Sequence, residues 1–255
     1  MVAFGFFVSA FLLSRKAPAL GFEKDFFWSL SFWLLSGGLL GGRLMYIILN
    51  FDFFLQNPKE MFMLWRGGLV WYGGFLAGVF SALLYLKAHK APLLRTLDIV
   101  APYAALGQSI GRIGCFLNGC CYGRPAEWGI YFPAHGERLM PVQLFSSLDL
   151  LVIYVLLRLL QDRLASAGQE KTSILFPGPP DFNRAGSRWQ GCVFITYLLF
   201  LSLERFIMEF LRDDSSRGFS GFTIFQIISA VIFLSALLAL WIIILWSRRK
   251  KRAGG

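Results

Sequence analysis

Apolar residues gather along this chain in seven long runs, near residues 1–14, 27–49, 68–86, 96–118, 142–160, 191–211 and 222–246. Six of them reach or approach the roughly 20 residues with which an α-helix crosses a bilayer. The first has about 13, which at about 1.5 Å per residue rise only about 20 Å, so it predicts a short or truncated helix. A signal peptide is the rival reading of that run, but no basic stretch precedes it and no small-residue cleavage site follows it. The pattern predicts an all-α integral membrane protein: one membrane domain over 1–255 with about seven transmembrane helices. No repeat of fixed period interrupts it.

The polar intervals are of two kinds. Residues 51–66 are aromatic and amphipathic and predict a segment lying in the headgroup plane on the outer side. Residues 122–141 set Trp128, Tyr131 and Phe132 among turn residues and predict a small periplasmic cap. Residues 161–189, punctuated by Pro and Gly, predict a flexible cytoplasmic loop, and 247–255 a basic cytoplasmic tail. Sixteen of the 25 lysines and arginines fall on the side of that tail, six on the opposite side and three inside apolar runs. By the positive-inside rule the N-terminus lies outside and the C-terminus inside.

Composition agrees, at 56% hydrophobic and 16% charged residues. A net charge of +10 would suggest nucleic acid in a soluble chain. Here the charge sits in loops and tail, where it sets topology and meets anionic membrane lipids. No basic face alternates with stacking aromatics, so nucleic acid is not expected as a partner.

The three arginines inside apolar runs, Arg43, Arg112 and Arg205, carry the functional signal. A guanidinium in hydrocarbon costs roughly 2.5 to 3.5 kcal/mol on insertion scales, so it persists where it faces a protein interior and an anionic partner. An anionic lipid headgroup is the first candidate. In GQSIGRIGCFLNGCCYGRP, residues 107–125, Gly107, Gly111 and Gly114 let a helix or ligand approach around Arg112, and Asn118 adds donor and acceptor capacity. A tightly packed helix whose arginine pairs with a neighbouring carboxylate is the alternative. In ERFIMEFLRDD, residues 204–214, Arg205, Glu209 and Arg212 share one helical face. There a guanidinium fork suits phosphate and Glu209 aims or neutralises it, or the pair is an ion pair without a ligand. In WRGGLVWYGGFLAG, residues 65–78, paired glycines suggest a broken span lining a cavity, with Tyr72 between Gly67–Gly68 and Gly73–Gly74 pointing its phenol inward. GGRLMY places Arg43 similarly, unless it snorkels at the outer interface.

The stretch GRIGCFLNGCCYGR resembles the signature G-R-x-G-N-F-x-N-x-E-x-x-G of the prolipoprotein diacylglyceryl transferase family. The resemblance extends in order through GGRLMY, the paired-glycine segment, PVQL (residues 141–144) and RFIMEFLR. It implies seven spans in the bacterial inner membrane, N-terminus periplasmic and C-terminus cytoplasmic, with a site open laterally to lipid. It also implies transfer of the diacylglyceryl group of phosphatidylglycerol to the lipobox cysteine thiol of prolipoprotein signal peptides, forming a thioether and releasing glycerol 1-phosphate. Arg112, Arg205, Glu209 and Tyr72 are then the expected catalytic residues, and Arg43, Asn118, Gly123, Gly73, Gly74, Gln143 and Arg212 the expected substrate-binding ones. No cofactor is implied, and the protein is expected to act as a monomer.

The sequence departs from the family pattern at several positions. Tyr72 stands where many members have histidine, Cys115 and Cys120 where the signature has Asn and Glu, and Phe145 and Ser146 where P-S-Q-L-Y-E has Tyr and Glu. The Tyr-Gly element of the first span falls before Met1, and an upstream start would restore it. These changes leave the general base open, with Glu209 the remaining carboxylate candidate. They also keep alive a non-catalytic lipid-binding homologue, beside an anion or lipid transporter. The C-x4-C-C cluster of Cys115, Cys120 and Cys121 reads as small-residue packing or an outer-face disulfide. No metal site is expected, because no histidine or carboxylate in that span completes a coordination shell.

Overall fold

The computed structural model describes residues 1–63, 67–133, 135–169, 190–212 and 222–253. They cluster into two compact units, Phe22–Leu93 and Met1–Gly21 with Leu94–Gly255.

In the Phe22–Leu93 unit, after helix α1 (Val2–Lys16) of the other, come α2 (Phe26–Leu49), a short α3 (Phe51–Gln56), a 3-10 turn (Pro58–Phe62) and α4 (Trp71–Ala88). Lipid tails give two apolar helices no hydrophobic reason to associate, so contact depends on backbones that come close. The glycines supply this. A Cβ on Gly41 would lie 2.1 Å from that of Ala77, and one on Gly73 would lie 2.4 Å from that of Met45. Ser81 on α4 donates to the Trp33 carbonyl (3.0 Å) and Tyr85 to that of Phe26 (3.2 Å), so the small-residue seam is pinned by hydrogen bonds.

This arrangement corrects the reading of the glycine pairs. Gly67 and Gly68, at φ 82° and 81°, form the left-handed turn that leads into α4. Gly73 and Gly74 lie inside α4 and pack against α2. Tyr72 is 69% exposed, so its phenol is not enclosed as expected. The cause is that two glycine pairs with the same composition meet different neighbours. Trp65 and Arg66 lie outside the described residues.

The other unit holds α1, α5 (Leu93–Leu117), strands β1 (Pro125–Phe132) and β2 (Glu137–Leu139), α6 (Val142–Gln169), α7 (Cys192–Leu211) and α8 (Ile224–Ala253). Leu150, Ile153 and Leu157 of α6 form its core with Ala101 and Ala105 of α5 and Val193 and Tyr197 of α7. Polar pairs align these helices. Ser109 and Ser147 each donate to the other's carbonyl, at 2.8 and 2.9 Å. Asp98 on α5 accepts the N–H groups of Gly191 (2.6 Å) and Phe194 (2.8 Å), satisfying donors that the start of α7 leaves open.

Three features differ from the sequence expectation. Residues 122–141, expected as a cap segment, contain a two-stranded antiparallel hairpin with Tyr131 opposite Arg138 and Phe132 opposite Glu137, a local addition to a mostly helical membrane fold. Aromatic and branched residues up to Phe132, then a turn closed by Gly136 at φ 69°, favour this local pairing. α6 continues to Gln169, taking the first part of the expected loop, while residues 170–189 lie outside the described residues. α8 continues to Ala253 and so includes most of the basic tail.

Among the described residues three helical stretches, Phe26–Leu49, Val142–Leu164 and Ile224–Leu245, are long and apolar enough to cross a membrane, and Tyr72–Ala88 is a shorter apolar one. Large apolar side chains such as Phe32, Leu156, Ile228 and Leu238 stand exposed on them. This is the surface of a chain whose solvent is lipid.

Candidate phosphate-binding site

Arg43 is 7% exposed, and its three side-chain nitrogens are engaged by its own chain. Nε donates to the carbonyl of Met61 (3.1 Å), NH1 to those of Gly67 (2.6 Å) and Gly68 (3.2 Å), and NH2 to that of Glu60 (2.5 Å). The rings of Tyr46 and Phe54 lie 5.6 and 5.5 Å from its guanidinium carbon. Arg43 therefore shapes the turn before α4. Its donors are bonded to backbone carbonyls of the 60–68 segment.

The second unit gathers the other arginines. Arg205 and Glu209, one turn apart on α7, form an ion pair at 3.4 Å. The Glu209 side chain is fully buried and that of Arg205 partly open, at 24%. Thr223 donates to the second Glu209 oxygen at 3.0 Å. Thr223 is also the residue before α8, where its hydroxyl accepts the Gln226 N–H (3.2 Å) and the Gln226 side chain accepts the Thr223 N–H (3.0 Å), a reciprocal helix cap. The guanidinium of Arg205 lies 5.0 Å from the centre of the Phe225 ring. Glu209 and Phe225 thus fix its aim. The other Glu209 oxygen faces Arg205 at ion-pair distance and has no hydrogen-bond donor among the described residues.

Arg112 projects from the last turns of α5, half-buried, with no hydrogen-bonding or ionic partner among the described residues. It lies within electrostatic range of Arg205, as does Arg212. Next to it, a Cβ on Gly111 would meet nothing within 4 Å among the described residues, whereas Gly107 and Gly114 are closed off by Ser9 and Met1 of the α1 segment. Open space therefore adjoins Arg112 on one side and a packed helix on the other. Among the described residues, the three guanidinium groups outnumber the two carboxylates around Arg205, an excess of positive charge that suits an anion.

Sequence reasoning assigned no role to Glu204, which lies one residue before Arg205 and off the Arg205–Glu209 face. It is 6% exposed, accepts a hydrogen bond from Ser146 on α6, and lies within electrostatic range of Arg112 and Arg205. Ser146 stands where the family pattern has glutamate, so α7 brings a carboxylate to that position from the facing helix.

The remaining expected residues divide. Asn118 is exposed at the end of α5, and Arg212 is half-buried where α7 ends. Asp213, Asp214 and Arg217 lie outside the described residues. Gly123 bridges to Arg212 by strand-like pairing, and a Cβ there would lie 2.5 Å from Val142 and 2.8 Å from both the Leu211 oxygen and the Met140 Cβ. The missing side chain lets the hairpin base, α6 and α7 meet there. Gln143 is 1% exposed and donates to the Cys120 carbonyl at 2.7 Å, holding the 118–121 turn, while its Oε1 has no partner among the described residues. All four cysteines are free, so the expected disulfide alternative is not realised. Burial raises the Cys121 thiol above its usual pKa, the Cys120 thiol adds to the shift, and Arg212 and Arg112 oppose it.

Comparison with known proteins points to one family. The family model described as "Prolipoprotein diacylglyceryl transferase" matches residues 1–242. A Clostridium tetani protein named "Phosphatidylglycerol--prolipoprotein diacylglyceryl transferase" is 33% identical over 237 residues, covering 90% of this chain and 85% of its own. Proteins of the same name from Aeromonas hydrophila and Geobacter sulfurreducens are 34% and 32% identical, covering 95% and 96% of this chain and 84% and 88% of theirs. Taken with the arginines of α5 and α7, these matches identify the chain as a member of the prolipoprotein diacylglyceryl transferase family.

Proposed function

We propose that this protein transfers the diacylglyceryl group of phosphatidylglycerol to the lipobox cysteine thiol of a prolipoprotein, forming a thioether and releasing glycerol 1-phosphate. The observation that carries the reading is the convergence of Arg112, Arg205 and Arg212 beside open space, with Arg205 held in aim by Glu209 and Phe225. The substrate thiolate attacks the terminal glyceryl carbon, the carbon–oxygen bond breaks, and its electron pair passes to the phosphate. That phosphate gains negative charge as the bond lengthens, so preorganised guanidinium groups lower the barrier. Arg112, with no protein partner among the described residues, and the open side of Arg205 supply them. The nucleophile comes from the substrate and must lose its proton. Glu204, a buried carboxylate steadied by Ser146 in the same electrostatic neighbourhood, is assigned as its acceptor. Asn118, exposed beside this cluster, meets the headgroup's glycerol hydroxyls.

The reading places the chain in the bacterial inner membrane as a monomer with seven spans, N-terminus periplasmic and C-terminus cytoplasmic. The 51–66 segment and the 122–141 hairpin then lie on the periplasmic side. The basic-residue asymmetry supports that orientation. Complementation of a transferase-depleted strain tests it: the parent gene restores growth, while Arg112→Ala and Arg205→Ala, expressed to the same level, do not. Growth with either variant equal to the parent would overturn the site, and failure of the well-expressed parent would overturn the activity.

A further inference from the structure

We propose that Cys115, Cys120 and Cys121 form a binding site for a soft, thiophilic metal ion, monovalent copper being the ion they suit, and that filling it disables the neighbouring arginines. The three Sγ atoms all lie within 4.8 Å of one another, and each cysteine is free and half-buried, so an ion can reach them.

The backbone explains why three thiols from seven residues meet. α5 ends in a Schellman cap: the Cys120 N–H donates to the Cys115 carbonyl (3.2 Å) and that of Gly119 to Phe116 (3.1 Å), with Gly119 at φ 69°. This cap stacks the side chains that close it, here two cysteines. Cys121 then adopts φ 62°, a left-handed conformation that side-chain-bearing residues rarely take. It turns the third thiol onto the other two. Gln143 fixes the turn from α6 through its bond to the Cys120 carbonyl.

A metal at the centre of three sulfurs, at about 2.3 Å from each, sets them about 4.0 Å apart. The observed spacing therefore closes onto an ion with shifts of about half an ångström per sulfur. Soft thiolates select copper(I) among available ions, and structural zinc prefers a fourth ligand. Binding releases the three thiol protons and changes no oxidation state. Three thiolates and one monovalent ion leave two negative charges in excess, beside Arg112 and Arg212, which are within electrostatic range of the thiols. The filled site thus presents to those arginines the kind of charge that a phosphate would.

The metal site stands on geometry alone, whereas its inhibitory effect rests on the transfer reaction proposed above. The full chain, purified in detergent, reduced and desalted without oxygen, is titrated with copper(I) against the chromogenic chelator bathocuproine disulfonate. One equivalent is withdrawn by the parent and by Cys192→Ser. Cys115→Ser, Cys120→Ser and Cys121→Ser each bind about 100-fold more weakly or worse, since loss of a ligand exceeds the cost of losing its outer support. In the transfer assay one equivalent stops the parent and leaves Cys121→Ser running. No uptake by the reduced parent, or uptake unchanged when all three are serine, overturns the site. Uptake of zinc(II) with none of copper(I) overturns the ion. A disulfide within the trio that, once reduced, takes up no copper assigns these thiols to redox pairing instead. Stoichiometric copper binding without loss of transfer overturns only the inhibitory effect.

Discussion

Arg43, buried, and Arg205, partly open, are both cations in apolar helices, and they differ in what their guanidinium groups have left to offer. Arg43 donates to carbonyls of Glu60, Met61, Gly67 and Gly68, whereas Arg205 keeps an open side beyond its one carboxylate. The sequence makes both visible as charges in hydrocarbon but hides the distinction, because the acceptors of Arg43 are main-chain oxygens that any residue supplies. Arg205→Lys keeps the charge and loses the planar fork. We expect kcat to fall at least about tenfold, about 1.4 kcal/mol of barrier, and Glu209→Gln to raise KM for phosphatidylglycerol, both read in steady-state assays. If Arg205→Lys matches the parent, the fork has no part in the reaction. Glu204 belongs to the same scale and was not legible, because its partner Ser146 is 58 positions away and on another helix. Glu204→Gln preserves shape and hydrogen bonding but not proton affinity. A loss in kcat of about 100-fold with little change in KM is the expected signature of a lost base; an unchanged kcat would reduce Glu204 to scaffolding.

At the scale of elements, the apolar runs were legible because a span needs length and little else. Helix limits were less so: α6 and α8 continue into stretches whose composition suggests loop and tail, since basic and polar residues lengthen a helix readily once it leaves the apolar phase. The hairpin was hidden by its shortness, with strands of eight and three residues. The glycines of α2 and α4 were visible as a pattern, but spacing alone does not announce the seam that they form. Gly73→Val tests the seam directly. Its Cβ would overlap Met45 and the Gly41 carbonyl, so we expect about 1–3 kcal/mol of destabilisation, seen as a lower Tm in detergent. A Tm equal to the parent's would mean that α2 and α4 do not depend on this approach.

For the whole molecule, the class was legible from composition and the family from the order of its motifs, while the division of labour among arginines was not. Charged residues are so sparse in this chain that each one in an apolar run has a purpose, but purpose divides into building and binding only in three dimensions. Arg112 and Arg205 come from helices separated by a hairpin and one further helix, and they come within electrostatic range because α5, α6 and α7 share one core around Leu157 and Tyr197. Thr223 adds a last link. One hydroxyl both starts the final helix and steadies the carboxylate behind Arg205. Fraying at that joint would spoil the arginine's alignment long before the bundle came apart, so warming should silence turnover while the spectroscopic signal of folded protein is still intact.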